Sequence, residues 1–560
     1  MNKIFKSMMA ISMAAISAFG LVACGENGDN GGSRNDGTKS EILVYNYAGG
    51  VGSVWLDKAI ARFEEKFADY SFEEGKTGVV IEKNATKSGA DLAAIQNASE
   101  DVFFSEWIDI PSLIAQGKVL NINDVVTTPL NTYLEGRTTD TETIQDKLYA
   151  ETVDFFTFKN EEYYGLPHYS TMPTLTYNKK LFDDKGLYFA KTPSSNDLLG
   201  KFISASNPTK SCGPDGVCGN ADDGLPATWD EMYDLFEYMG KKSTTPIIYS
   251  GAAAYGYTKY LLNNAYVNLV GKDVARYNYT FDSSDNMINV VTGWESTSNT
   301  AKPTTGTAKV TPSDTSALNK QLEKYQALEI LDKILDTDKW QHDVCDDSEA
   351  TALDAQFEFI NSYNENKPVG ILMEGNYWYN ESEDALYFED VRANYDNYDE
   401  LNDYQIMPMP RVYSGTAADI DGTQQRKTVV TDQADSFACI NAKIAGNAIK
   451  VKIAKMFLAF CYTEESLAEF TETTNVLRYM HYDVDESKLT NYGKSVYNYV
   501  KNSEILFPYS SHVNYIGDKM NYSLHLESSF WEYTNSGTPY NALNGSNKYV
   551  KTFFNGYMNR

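Results

Sequence analysis

Histidine, cysteine and tryptophan are all scarce among the 560 residues, numbering five, six and seven. The five histidines, His168, His342, His481, His512 and His525, are scattered without metal-ligand spacing, so each reads as a surface or packed residue. Six cysteines cannot staple a chain of this length, and stability must come from hydrophobic cores. The chain also lacks G-x-S-x-G, H-E-x-x-H and the Walker phosphate loop, the signatures of nucleophilic, zinc and phosphate chemistry. Its 77 acids make carboxylate pairs imaginable anywhere, and such pairs carry no weight without geometry. Basic residues are in deficit, 48 against those 77 acids, for a formal net charge of −29. Such a surface cannot neutralise phosphates, which argues against nucleic acid as a partner and against lying flat on an anionic membrane. Beyond the first two dozen residues no stretch is apolar enough to span a bilayer, and no internal repeat is present. The reading is therefore of a non-enzyme that requires no cofactor.

What is present starts with Lys3 and Lys6, an apolar run from Met8 to Val22, and Leu21-Val22-Ala23-Cys24. A charged region, an apolar region and a small-residue cleavage site make residues 1–23 a signal peptide. The Leu-Val-Ala-Cys ending resembles a bacterial lipobox, which implies that Cys24 is acylated and becomes the new N-terminus. Gly25 to Ser40 is rich in Gly, Asn and Asp and cannot bury a core, so residues 24–40 read as a lipidated flexible tether. The expected location is extracytoplasmic, lipid-anchored at the cell membrane.

The remaining length exceeds one core, and two or three domains are expected. Glu41 to Tyr47 is an apolar β-prone run, Val54 to Phe67 an amphipathic helix, and Val79 to Ile81 a second strand. Asp91 to Gln96 reads as a short helix and Asp101 to Phe104 as a third strand. Strand, helix, strand, helix, strand is the pattern of an open parallel α/β sheet, in which ligands bind beyond the carboxyl ends of strands. Tyr47 and the Ser105-Glu106-Trp107 group follow two such ends.

Further on, Ser211 to Pro226 is glycine-rich and carries Asp215, Asn220, Asp222 and Asp223. Oxygen ligands on such a turn suit structural calcium, with Asp215, Asp222 and Asp223 as ligands, and they equally suit a solvated acidic loop. Cys212 and Cys218 can close this loop in an oxidising compartment. Thr228 caps a helix from Trp229 to Met239, Thr245 to Gly251 is a strand, and aromatic Tyr255 and Tyr257 follow it. Asp282 to Ser316 reads mostly as loop. Val369 to Met373 is an apolar strand ending in a turn with Glu374, Asn376, Tyr377 and Trp378.

One stretch organises the rest. Tyr163 to Leu187, YYGLPHYSTMPTLTYNKKLFDDKGL, reads as two short extended runs and a helix start, with Asn178 as N-cap and Gly186 as the stop. In order and spacing it resembles a segment of the solute-binding lipoproteins of ABC importers, the maltose-binding-like carbohydrate class. The segments around Trp107 and Trp378 are similar to that family as well.

The resemblance implies an α/β, two-lobed, periplasmic-binding-protein-like (type II) architecture with a ligand cleft between the lobes. Residues 41–167 and 408–472 would form the first lobe, and 168–407 and 473–560 the second. Leu166 to Met172 and Tyr404 to Pro410 would carry the chain between them. The implied role is capture of a sugar or oligosaccharide by a monomer and its delivery to ABC transporter permease subunits. Candidate ligand contacts are Tyr47, Glu106, Trp107, Tyr169, Tyr255, Tyr257, Glu374, Tyr377, Trp378 and Asp435, since aromatic faces cover sugar rings and carboxylates satisfy hydroxyls. A secreted glycoside hydrolase and a surface carbohydrate-binding adhesin are the rival readings.

Overall fold

The computed structural model describes residues 35–558, apart from 88–94, 96, 107–109, 158–160, 363–366, 417–426, 433–435, 508–537 and 546–547. Two sheets organise the chain, one in each lobe. The first has the order β2-β1-β3-β12-β4, built from β1 (Ser40–Tyr47), β2 (Val79–Thr86), β3 (Val102–Ser105), β4 (Leu166–Pro167) and β12 (Phe437–Ile440). β1 runs parallel to both β2 and β3, whereas β12 is antiparallel to β3 and β4. The expected first strand, helix, second strand and third strand are all present here, while the short helix expected over Asp91–Gln96 lies almost wholly outside the described residues.

The helix Val54–Lys66 repeats its apolar residues at the helical period and buries Trp55, Ala59, Ile60 and Phe63. Phe63 meets Phe457 and Phe460 of the helix Ala448–Phe460 edge-on, at 5.2 and 5.4 Å. Burying one such ring stabilises the lobe by about 1.5–3 kcal/mol.

The second sheet has the order β10-β5-β9-β6, built from β5 (Pro173–Asn178), β6 (Thr245–Ile248), β9 (Val369–Gly375) and β10 (Tyr404–Met407). β5 is antiparallel to β9 and β10, while β6 is parallel to β9. Local caps fall where the sequence places them. Asn178 accepts the Leu181 N–H, Gly186 closes that helix at φ +64°, and Thr228 accepts the Glu231 N–H.

Residues 282–316 depart from the expected loop. They contain a hairpin of β7 (Ile288–Trp294) and β8 (Pro303–Ala308), with Val290 and Val291 buried against the second lobe. Polar Ser, Thr and Asn flanks mask a strand whose partner lies a dozen residues away.

The crossing between the lobes also differs from expectation at one place. β10 pairs with β5 inside the second-lobe sheet, and the chain beyond it stays on that lobe. Arg411 donates through Nε to the Pro214 carbonyl at 2.8 Å, Trp229 N–H to the Val412 carbonyl at 3.0 Å, and the Tyr413 hydroxyl to Glu329 at 2.6 Å. Tyr404 to Pro410 is therefore not a crossover. The next strand, β11 (Val429–Thr431), pairs in parallel with β13 (Glu504–Leu506), and the chain then passes through Asp432 and Ser436 into β12.

Three parts of the chain lie together at the crossing: 168–172, Asp432 with Ser436, and 476–480. His168 N–H donates to Ser436 O at 3.2 Å, and Ser170 N–H to Leu477 O at 2.8 Å. The buried Asp432 carboxylate ties all three, accepting the Thr171 N–H at 2.7 Å, the Thr171 hydroxyl at 3.2 Å and the Tyr479 hydroxyl at 2.7 Å.

Beneath them the buried Arg478 donates to the carbonyls of His168 and Cys461 at 2.7 and 2.6 Å and lies over the rings of Phe470, Tyr462 and Trp55. Burial, then the Arg478 charge, holds the His168 imidazole well below its usual range. Among the described residues no helix is long and apolar enough to cross a membrane.

Candidate functional site

The lobes meet where the carboxyl ends of β1 and β3 face the carboxyl end of β9. From the first lobe comes the turn after β1, Ala48-Gly49-Gly50-Val51-Gly52. Gly50 has φ +57°, and a Cβ there would lie 2.3 Å from the Tyr169 hydroxyl and 3.2 Å from Glu106 Oε1. Only glycine gives the backbone both that conformation and that proximity. From the second lobe comes the helix Trp378–Asp384, whose Glu381 accepts the Gly50 N–H at 3.2 Å. Asn380 of the same helix donates to the carbonyl of Thr474, on a helix that packs against Val54–Lys66.

Carboxylates dominate the second-lobe wall. Glu374 is buried at the end of β9 and accepts the Tyr257 hydroxyl at 2.6 Å and the Gly375 N–H at 2.7 Å. The amide nitrogen of Gln356 bridges Glu374 and Glu381, at 3.1 and 2.9 Å. Burial, then the Glu381 charge, pushes the Glu374 carboxyl up to about 7, and burial raises Glu381 as well. Burial, followed by the Glu374 charge, raises the Tyr257 and Tyr377 phenols well above their usual range, which keeps both as neutral hydroxyls. Across the seam Tyr169 and Tyr377 meet edge to face, with ring centroids 6.3 Å apart.

Seven of the residues singled out in the sequence thus lie at or near this seam: Tyr47, Glu106, Tyr169, Tyr257, Glu374 and Tyr377, with the Tyr47 ring folded against Gly49, and Asn376 on the crossing segment. Asn376 holds that segment by accepting the Met172 N–H at 2.9 Å and donating to Ser170 Oγ at 2.9 Å.

Trp378 does not belong with them. It is fully buried, donates from its indole N–H to Thr176 Oγ1 at 3.1 Å, and packs against Phe359, Tyr404 and Tyr492. It is a core residue of the second lobe, because the helix it opens turns that side chain back over the sheet. Tyr255 is 36% exposed and stands two helical positions from Tyr257, so the two rings do not share a face. Trp107, Asp435 and Cys24 lie outside the described residues.

Gln356 and Glu381 were not singled out from the sequence. Glu381 sits one helical turn after Trp378, and the cue was the helix that starts beyond the β9 turn.

In the acidic loop Cys212 and Cys218 are joined as a disulfide. Its carboxylates are occupied locally in part. Asp215 accepts the Val217 N–H and the Asn220 amide, both at 2.6 Å, Asp222 accepts the Asp215 N–H at 3.2 Å, and Asp223 the Gly219 N–H at 2.8 Å. Among the described residues no three His, Cys, Asp or Glu side chains are grouped to hold a metal. Asp222 Oδ1 and Asp223 Oδ1 are buried without a hydrogen-bond partner among those residues, so the loop satisfies only part of its own oxygens. The calcium expectation on Asp215, Asp222 and Asp223 rests on the sequence alone. Two cavities lie away from the seam. One of 960 Å³ is on the first lobe beside Arg137 and Asp140, and one of 690 Å³ is between the acidic loop and the helix Asn491–Lys501. Neither joins residues from the β1, β3 and β9 ends, and the chemistry concentrates at the seam.

Solved structures share this architecture. A chitin oligosaccharide binding protein is 16% identical, with 86% of this chain and 90% of that one covered at a TM-score of 0.50. A structure from work on xylan utilization by the thermophilic bacterium Caldanaerobius polysaccharolyticus is 14% identical, covering 93% and 99% at 0.54. The binding protein msme of Bacillus subtilis, in an open conformation, is 12% identical, covering 94% and 97% at 0.50. At these identities the likeness establishes the two-lobed α/β fold. No curated protein sequence matches the chain. Residues 55–342, just over half of the sequence, match the family described as bacterial extracellular solute-binding protein, and the chain belongs to that family.

Proposed function

We propose that this solute-binding protein captures a sugar or oligosaccharide between its lobes and delivers it to the permease of an ABC transporter. The observation that carries the reading is the seam itself. Tyr169, Glu106 and Gly50 from the first-lobe side and the crossing meet Tyr377, Glu374 and Glu381 of the second at one place. A ligand held there contacts both halves, and that differential contact drives closure about the three crossing segments. Tyrosine faces suit the apolar faces of a pyranose ring, while carboxylate and amide oxygens accept its hydroxyls. Trp107 and Asp435 stay in the candidate set on their sequence context alone. Acylated Cys24 would hold the protein at the membrane through its tether, with the folded body acting as a monomer.

A thermal-shift screen over mono- and oligosaccharides, followed by calorimetry on the hits, tests the reading. Saturable stabilisation by a saccharide is expected, since a ligand at 100 times its Kd adds about 2.7 kcal/mol. Release of reducing ends from that saccharide would move the protein to the hydrolases. A screen in which no saccharide shifts the melt would defeat sugar capture.

A further inference from the structure

The carboxyl groups around Gly50 outnumber what neutral hydroxyls require. Glu374 is buried, Glu381 is partly buried, and the two share one amide of Gln356. Asp384, one turn along, has Oδ2 2.9 Å from where a Cβ on Gly52 would lie, and Glu106 approaches Gly50 from β3. Two carboxylates joined through a neutral amide are costly to hold ionised together, and a cation between them removes that cost. The remaining titratable groups facing them are Tyr257 and Tyr260 of the helix Ala254–Val270, Tyr377, and Lys87 beyond β2, which acts on Glu381 and Asp384 from an exposed position. A second observation points to a ligand at the same spot. Tyr169 is 2% exposed, and its hydroxyl has no hydrogen-bond partner among the described residues although it is aimed at Gly50. A buried hydroxyl in that state lacks the compensation that a bound polar group supplies. Beside it the Tyr169 and Tyr377 rings offer aromatic surface, which attracts cations.

We infer that the captured solute carries a protonated amine, an amino sugar or a short oligosaccharide containing one, with its ammonium group seated between Glu374 and Glu381 beneath Gly50. The inference rests on sugar capture at the seam and narrows its substrate class. Ammonium donates three hydrogen bonds, so it can bridge both carboxylates while the ring hydroxyls accept from Tyr169. Raised carboxyls have a further consequence. Near neutral pH the pair retains part of a proton, which the ammonium must displace, so binding releases protons to the buffer.

The test is calorimetry near neutral pH with the β-1,4-linked disaccharide of glucosamine, its N-acetylated counterpart and cellobiose, each in two buffers of different ionisation enthalpy. About tenfold or tighter binding of the free amine is expected, as one close charge pair provides at the lower end, together with proton release. Glu381→Gln should bring the amine down to the affinity of the acetylated sugar while its melt shows an intact fold. Equal or tighter binding of the acetylated or hydroxyl sugar, or binding without proton release, overturns the inference and leaves sugar capture standing. Failure of every saccharide, here and in the broader screen, overturns both.

Discussion

Two buried acidic centres lie close together in this protein and have been built differently. At the crossing Asp432 accepts two hydroxyls and one backbone N–H, all from strands that pass between the lobes. At the seam Glu374 has a comparable set of donors, yet it shares one of them with a second carboxylate, Glu381. Donor number therefore does not separate the two. The second carboxylate does: burial raises both Glu374 and Glu381, the Glu381 charge adds to the rise at Glu374, and the pair is left poised for a cation or a proton. Asp432 is a tie among fixed strands, whereas the Glu374–Glu381 pair lies at the seam, where Glu381 reaches the first-lobe turn at Gly50.

The largest effect expected within this comparison is at the aromatic neighbour of the pair. Trp378→Ala should cost about 3–5 kcal/mol in urea unfolding, as a core truncation does. Tyr377→Phe, one residue away, should stay within about 0.5 kcal/mol of the parent and weaken solute binding instead. Equal stability losses would merge Tyr377 into the core and remove it from the site.

Next in size is Asp432→Ala, which leaves the Thr171 N–H and the Tyr479 hydroxyl buried without an acceptor. It should cost about 2–4 kcal/mol. Glu381→Gln, which removes a like charge, should be neutral or slightly stabilising near pH 8. A large loss there would show that Glu381 is a structural tie like Asp432.

A smaller effect separates the centres by pH. The Glu374 carboxyl binds its proton more tightly in the folded state, at about 7 against an ordinary 4.5. Its contribution to stability is therefore fully present below about 4.5 and is lost as pH rises through about 7. Burial also lifts Asp222 to about 7 and Asp332 to about 6, so both add to the same slope. The part owed to the seam is the difference between the parent and Glu381→Gln, measured by urea unfolding at pH 5 and pH 8. Identical pH profiles would uncouple the two glutamates.

Smallest of all is the response to chelator. With no metal-holding group of carboxylates in the acidic loop among the described residues, EGTA should leave the melting temperature unchanged. A fall reversed by added Ca²⁺ would restore the metal site.

These contrasts also mark where the sequence was legible. Asn178, Gly186 and Thr228 act within one helical turn, so residue type alone placed them. The order of β1, β2 and β3 followed from apolar runs and the helix between them. Family resemblance brought Glu374 and Tyr377 near the seam, but it could not tell Tyr377 from Trp378. Which of two adjacent rings faces the cleft depends on the orientation of the helix that Trp378 begins. Prolines around Met407 imitated a hinge because extended, proline-punctuated backbone looks alike within a sheet and between lobes. The hairpin of β7 and β8 was missed because Ser and Thr at its exposed positions resemble a linker. Gln356 and Glu381 lie 25 residues apart and on different helices, and only the tertiary fold joins them.

The strand order of the first sheet sets a timetable for synthesis. β12 lies between β3 and β4, so the sheet stays divided until residues 437–440 have left the ribosome, after nearly the whole second lobe. Until then β3 and β4 present unpaired edges, and closing the gap requires contacts of high sequence separation, which form slowly. The second lobe has all four strands of its sheet by residue 407 and can condense earlier. A chain with this topology must therefore spend its early life with one half assembled and the other open.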